Sequence, residues 1–344
     1  MTRLKGAPEA LAGAYDLALL DLDGVVYLLS QPIPEAAATI AALPGLGCAP
    51  VFVTNNASRS PETVADALRG MDIPADPAEV LTSAQVVAAA LRERLPAGAP
   101  VLICGSDALR DTVTAAGLTL TTDPAAAQGI GYGMTPSVTW RDLADLTIAA
   151  RNGAMWVATN LDATLPTPDG PLPGTGALAE AVKIALGRGP DVVAGKPGEA
   201  IYREALARKP GGHGIMVGDR PDSDIEGANR AGLDSLLVFT GVVTPRQALT
   251  LPPEQRPTYL GWSLAALTEP HPEPDWNDAV DRIECGGWTA VLEGKEIRLS
   301  GQGAELDAWR ALCELSWAAA DMTGYDPTVP PIPVGEAAEK LLSA

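Results

Sequence analysis

Residues 17–25 read Leu17-Ala18-Leu19-Leu20-Asp21-Leu22-Asp23-Gly24-Val25: four apolar residues, two carboxylates one residue apart, then a glycine. Such a run is a short buried strand that ends in a charged turn. Taken alone, Asp-x-Asp after a strand is commonly a solvated turn. The same arrangement recurs three times. The apolar run 51–53 leads into Thr54-Asn55-Asn56, the run 191–194 into Lys196-Pro197, and the run 215–217 into Asp219-Arg220. In an open parallel sheet the carboxyl ends of the strands converge on the ligand crevice. Four polar clusters at equivalent positions therefore read as parts of one site.

Outward from these clusters, further short apolar runs stand at 101–104, 155–158 and 235–239. Ala-rich stretches of helical period lie between the runs, at 35–43, 61–69, 175–186, 199–206 and 222–231. Alternation of this kind predicts βαβ units and a mainly parallel sheet, hence an α/β, Rossmann-like core. The stretch 268–275, Thr-Glu-Pro-His-Pro-Glu-Pro-Asp, breaks the pattern, because alternate prolines disfavour both helix and internal strand. Four of the seven tryptophans, Trp276, Trp288, Trp309 and Trp317, lie beyond it. There, 288–293 and 296–300 read as two strands around Gly294-Lys295, and Leu306, Trp309, Cys313, Trp317 and Ala320 mark one face of a helix. A small separate α+β domain is expected.

Composition narrows the function. Of 344 residues, 47% are apolar, enough for packed cores, and only 19% are charged, too few for a disordered acidic chain. A net charge of −19 works against nucleic acid and anionic membrane as partners. Cys48, Cys104, Cys285 and Cys313 are scattered in apolar stretches without a CxxC pair, so they read as packed thiols. Two histidines, His213 and His271, leave little material for a His-based triad or multi-His metal site. With no leader-like or membrane-length apolar run, a cytoplasmic protein is expected.

The clusters complement one another chemically. Asp21 and Asp23 beside Asp219 crowd negative charge that needs a cation, and oxygen ligands with water suit Mg²⁺. Asp21 can attack phosphorus to make an acyl phosphate, while Asp23 protonates the leaving alkoxide and later deprotonates the attacking water. Thr54, Asn55 and Lys196 supply donors for the phosphoryl oxygens.

The strings Asp-Leu-Asp-Gly-Val (21–25), Val-Thr-Asn-Asn (53–56), Gly-Lys-Pro (195–197) and Gly-Asp-Arg-Pro-Asp-Ser-Asp-Ile (218–225) resemble the four ordered motifs of haloacid dehalogenase phosphatases. The insert between the second and third motifs, with its stretch 159–176, is similar to the NagD-like branch. That branch includes glycerol-3-phosphate, phosphoglycolate and p-nitrophenyl phosphatases. The resemblance, over about residues 15–268, implies a core of residues 1–77 and 191–268 and an inserted α/β cap of 78–190; the stretch beyond the linker leaves an accessory domain of 276–344. It implies Asp21 as nucleophile and metal ligand, Asp23 as acid/base and metal ligand through its carbonyl, and Asp219 and Asp224 at the metal. Thr54, Asn55 and Lys196 would hold the phosphate, and Asn160, Asp162, Gly174 and Gly176 of the cap would approach the substrate. Asp222 is left a surface role. Some relatives carry an Asp and a His near the segment matching Gly131-Tyr132-Gly133-Met134; neither is present here.

Other readings fit less well. A dehalogenase has no use for Asp23 or magnesium. A P-loop needs Ser or Thr where Pro197 stands, and Gly129-Ile-Gly131-Tyr-Gly133 is only a fragment of a dinucleotide fingerprint. A non-catalytic phosphometabolite sensor, signalling through the C-terminal domain, is the alternative of a different class. In that domain Arg298-Leu-Ser-Gly301-Gln-Gly303 resembles an acetyltransferase pyrophosphate loop, although a Gly-relaxed strand-to-helix turn explains it more simply. The expected partner is a small phosphorylated metabolite, with a homodimer left open.

Overall fold

The computed structural model describes residues 4–165, 169–322 and 332–343; residues 166–168 of the 159–176 stretch lie outside the described residues. The chain divides into two compact units. One comprises Met1–Pro50, Met71–Pro74 and Lys209–Ala344; the other comprises Val51–Gly70 and Ala75–Arg208.

The first unit contains four parallel strands in the order Tyr259–Gly261, Asp234–Val238, Gly214–Gly218 and Leu17–Leu20. Leu20 pairs with Val217, which in turn pairs with Leu236. Every residue of Leu17–Leu20 and Gly214–Gly218 is buried, because a parallel strand covered on both faces needs a continuous apolar run. The next strand, Ala49–Thr54, begins in this unit, where the Ala49 N–H donates to the Asp16 carbonyl at 2.9 Å, and ends in the other.

The helix expected over 222–231 begins differently. Pro221–Ile225 forms a wide π-helical turn, with the Ile225 N–H reaching the Arg220 carbonyl at 3.4 Å, and only Glu226–Arg230 is α-helical. The wide turn brings Asp224 over Gly218, where any Cβ would overlap the Asp224 side chain.

The same unit takes in the C-terminal residues. Strands Asp275–Trp276, Arg282–Cys285, Trp288–Glu293 and Glu296–Gly301 form an antiparallel meander, and Ile332–Val334 adds in parallel at its end. The Gly294-Lys295 turn has Gly294 at φ +67°, a left-handed conformation that favours glycine. The helix Glu305–Asp321 is not the one-faced element that its period predicts: residues 306–319 are all buried. One apolar cluster joins Ile225, Leu237 and Leu260 of the parallel-sheet part to Ile283, Ala290 and Leu299 of the meander, with Trp309, Leu312 and Trp317 of the helix among them. Its polar residues are buried because distant groups complete them. Arg310 pairs with Asp307, donates to the Leu260 carbonyl at 2.9 Å, and lies 3.0 Å from His271 Nδ1. Glu314 accepts from the Leu4 N–H and, at 3.2 Å, from the Trp276 indole.

In the second unit Thr54 pairs with Thr82 of the parallel strand Val80–Thr82. A five-stranded parallel sheet follows, in the order Val192–Val193, Met155–Ala158, Gly129–Tyr132, Pro100–Cys104 and Thr119–Thr121. Capping boxes at Thr82/Gln85 and Thr139/Asp142 start the helices Ser83–Arg94 and Trp140–Arg151. Tyr132 meets Trp156 edge to face at 6.1 Å and donates its hydroxyl to the Thr175 carbonyl at 2.8 Å, fixing the start of helix Thr175–Leu186.

All four cysteines are free and buried. Burial pushes the thiols of Cys48, Cys104 and Cys285 up to about 12, and that of Cys313 higher still, which leaves them protonated and inert at neutral pH. No helix among the described residues is long and apolar enough to cross a membrane.

Candidate active site

The expected site residues fall into two groups, one on each unit. The first unit carries Asp21, Asp23, Asp219 and Asp224. Asp21 and Asp219 follow the neighbouring parallel strands Leu17–Leu20 and Gly214–Gly218, and the Asp21 N–H donates to the Val217 carbonyl at 2.9 Å. A carboxylate oxygen from each of Asp21, Asp219 and Asp224 lies within 4.8 Å of the others. Asp219 is 1% exposed and Asp224 fully buried. The Val242 N–H donates to Asp219 Oδ2 at 2.7 Å, and the Arg220 N–H to Asp224 Oδ2 at 3.1 Å.

Asp23, two residues after Asp21, is exposed. Its backbone is held by a tight turn in which the Gly24 N–H donates to the Tyr27 carbonyl at 2.7 Å. Gly24 sits at φ +85°, and a Cβ there would lie 2.6 Å from Asp219 Cγ. Asp222, read as a surface residue, is exposed and pairs with Arg220 at 3.0 Å.

The second unit carries Thr54, Asn55, Asn160, Asp162 and Lys196, and Asn55 is its hub. Asn55 Oδ1 accepts from the Lys196 N–H at 2.7 Å, and Asn55 Nδ2 donates to the Lys196 carbonyl at 3.0 Å. This two-point grip orients the Gly195-Lys196-Pro197 turn, whose Lys196–Pro197 bond is cis. Lys196 is 2% exposed, with Nζ 3.4 Å from the Val53 carbonyl. Thr54 is buried, and its hydroxyl accepts from the Asn56 N–H at 3.1 Å. Asn160 donates to the Asn55 carbonyl at 3.0 Å and accepts from the Asp162 N–H at 3.2 Å, while Asp162 receives Asn55 Nδ2 at 3.4 Å. Gly174 and Gly176 lie close under this segment: a Cβ at Gly176 would be 2.7 Å from the Leu161 carbonyl carbon.

A fifth strand-end cluster went unread in the sequence. Thr240-Gly241-Val242 follows Asp234–Val238 just as the other clusters follow their strands. Thr240 donates its hydroxyl to the Gly24 carbonyl, and Gly241 packs so closely that an added Cβ would overlap the Asp219 carboxylate. The signal was its position after a buried strand; its contribution comes mostly from backbone, which residue type does not advertise.

Three carboxylates gathered around one point, two of them buried, form an oxygen-donor set for a small hard dication. The cluster fits Mg²⁺ and lacks the nitrogen or sulfur ligands that softer metals prefer.

Residues 18–119 match the haloacid dehalogenase-like hydrolase family, residues 193–267 a HAD-hydrolase-like family, and residues 285–344 a GCN5-related N-acetyltransferase like domain. The chain is 41% identical over 291 residues to a D-glycerol 3-phosphate phosphatase of Mycobacterium tuberculosis, covering 83% of this chain and 80% of that one. It is 36% identical to an acid sugar phosphatase of Staphylococcus haemolyticus, over 70% of this chain and 90% of that one. Among solved structures, a glycerol phosphate phosphatase from M. tuberculosis in complex with magnesium superposes with a TM-score of 0.85 at 36% identity, covering 97% of this chain and 98% of that chain. A p-nitrophenyl phosphatase from Archaeoglobus fulgidus gives 0.68 at 32% identity, covering 74% and 98%.

Proposed function

This chain belongs to the haloacid dehalogenase-like hydrolases, and on that premise we propose that it is a Mg²⁺-dependent phosphatase hydrolysing small phosphate monoesters, glycerol 3-phosphate first among them. The observation that carries the reading is the carboxylate trio Asp21, Asp219 and Asp224 at the ends of parallel strands. Its relatives' substrates support the choice of ester, and 2-phosphoglycolate is the second to try.

Asp21 attacks phosphorus as its carboxylate, forming the acyl phosphate while the bond from phosphorus to the ester oxygen breaks. Asp23, exposed beside it, gives its proton to the departing alkoxide. It then takes a proton from water, whose oxygen attacks phosphorus, releasing inorganic phosphate and restoring the Asp21 carboxylate. Asp219 and Asp224, with Asp21 and the Asp23 carbonyl, would hold the cation, which when bound would offset the charge of the carboxylates and the phosphoryl group. Thr54, Asn55 and Lys196 are assigned to the phosphoryl oxygens, with Asn55 also fixing the Lys196 backbone. Residues 78–190 are assigned to the cap, in which Asn160 and Asp162 reach the substrate through, or alongside, Asn55.

The net charge of −19 supports a protein that avoids nucleic acid and anionic membrane, and a cytoplasmic place belongs to the same proposal. A homodimer belongs to the same proposal and is tested by mass in solution. The sensor alternative finds no support, since the relatives are phosphatases. A panel of phosphate monoesters assayed for phosphate release, with Mg²⁺ and after exhaustive chelation, tests the proposal. Glycerol 3-phosphate is expected to lead the panel, and turnover untouched by chelation would refute the metal assignment.

A further inference from the structure

The segment that follows strand Asp234–Val238 touches the carboxylate trio at one end and the C-terminal helix at the other. At the first end, the Val242 N–H donates to Asp219 Oδ2 at 2.7 Å and Thr240 donates to the Gly24 carbonyl. One residue later Val243 turns inward, 5% exposed, into the apolar cluster that holds Trp309, Leu312 and Trp317. Thr244 then caps the short helix Pro245–Ala248, whose last carbonyl accepts the Trp317 indole N–H at 2.9 Å. Further on, Arg256 donates from Nε to the Leu251 carbonyl at 3.1 Å and from Nη1 to Asp321 at 2.7 Å. Its guanidinium lies 5.8 Å from the centre of the Trp317 ring, and both residues are 2% exposed. Segment 239–256 is thus fastened along helix Glu305–Asp321 by an apolar anchor, an indole hydrogen bond and a part-buried ion pair.

We propose that the C-terminal domain is a positioning element for the metal site: helix Glu305–Asp321 holds the loop that aims Asp219. The inference rests on the reading that Asp219 holds the cation. Sequence alone points the other way, since every expected catalytic residue precedes the linker at 268–275 and the accessory domain reads as separate from the chemistry. The physical reason is pre-organisation. A loop free to leave Asp219 lowers the fraction of protein competent to bind, and apparent affinity falls by that fraction. Linkage makes the effect reciprocal, so Mg²⁺ must also tighten the loop against the helix.

The test uses full-length protein and Mg²⁺ alone, titrated by calorimetry without substrate. Trp317→Phe removes the indole donor, and Val243→Ala trims the apolar anchor, giving a second route should the first variant fail to fold. Trp288→Phe is the control, because Trp288 donates to Ala304 within the same domain, at 3.0 Å, and makes no hydrogen bond to the loop. Partners of metal ligands commonly control affinity about 10- to 100-fold, so one step further out the Mg²⁺ dissociation constant is expected to rise about three- to tenfold in Trp317→Phe and Val243→Ala. The control stays at the wild-type value, and turnover in the two loop variants recovers at saturating Mg²⁺. Folded loop variants that bind Mg²⁺ as tightly as wild type overturn the inference while leaving the phosphatase reading intact. A wild-type protein that binds no Mg²⁺ overturns both.

Discussion

Gly241→Ala adds one methyl group at the point where backbone meets the Asp219 carboxylate. The new Cβ would overlap Oδ2, lie 2.6 Å from Cγ and 2.9 Å from Cβ of Asp219, where ordinary contact begins at 3.4 Å. Relief of the Cγ contact alone requires 3.4 − 2.6 = 0.8 Å of movement. Asp219 is 1% exposed and accepts the Val242 N–H at 2.7 Å, so retreat of the carboxylate stretches the bond that aims it. Gly241 is not among the positive-φ residues, and alanine adds no backbone strain of its own. A misplacement of about 1 Å costs about 100-fold in rate, equivalent to about 2.7 kcal/mol of transition-state stabilisation. The assay is kcat/KM for glycerol 3-phosphate across a Mg²⁺ series, with circular dichroism and melting to establish that the variant is folded. A folded Gly241→Ala enzyme within about threefold of wild type at every Mg²⁺ concentration would show that the loop does not position Asp219.

Other perturbations follow from buried polar groups. Arg310→Met leaves Asp307, only 10% exposed at its side chain, without its cation, and is expected to cost about 3–5 kcal/mol of stability in urea unfolding. His271 has its pKa lowered, first by burial and then by the Arg310 charge, against the hydrogen bond to the Ala266 carbonyl and the Asp307 charge, which raise it. The unfolded chain therefore binds this proton more readily, and the stability His271 contributes above about pH 6.5 is lost as pH falls below that value. Melting temperature from pH 7.5 down to 5.5 is expected to fall less steeply in His271→Gln than in wild type. Asn55→Ala removes the side-chain bonds to both the N–H and the carbonyl of Lys196, at an expected cost of about 1–3 kcal/mol, together with a raised KM.

Four of the five strand-end clusters were legible because charge or amide chemistry announces itself after an apolar run. Thr240-Gly241-Val242 was not, since a glycine that merely leaves room and an N–H that any residue owns have no sequence signature. Helix Glu305–Asp321 shows a related limit. Its period exposes an apolar face, but Arg310 and Glu314 are buried by the Leu260 carbonyl, His271, Leu4 and Trp276, none of them helical neighbours. Reading those polar positions as a solvated face follows the local rule, and tertiary partners override it. Likewise the π-helical turn at Pro221–Ile225 depends on the absence of a Cβ at Gly218, several residues upstream. The acetyltransferase-like character of 285–344, which the family match carries, was hinted at in the sequence by one glycine-bearing loop, too short to distinguish it from an ordinary strand-to-helix turn.

The central claim is that Asp21 carries the phosphoryl group, and Asp21→Asn tests it most directly. The substitution keeps size and removes the nucleophilic charge, while Asp219 and Asp224 remain. Phosphate release from glycerol 3-phosphate with saturating Mg²⁺, measured beside wild type, is expected to fall by at least about 1,000-fold in a protein that melts normally. A variant that keeps about a tenth of the wild-type rate contradicts the account, because hydrolysis would then proceed without a nucleophile at Asp21.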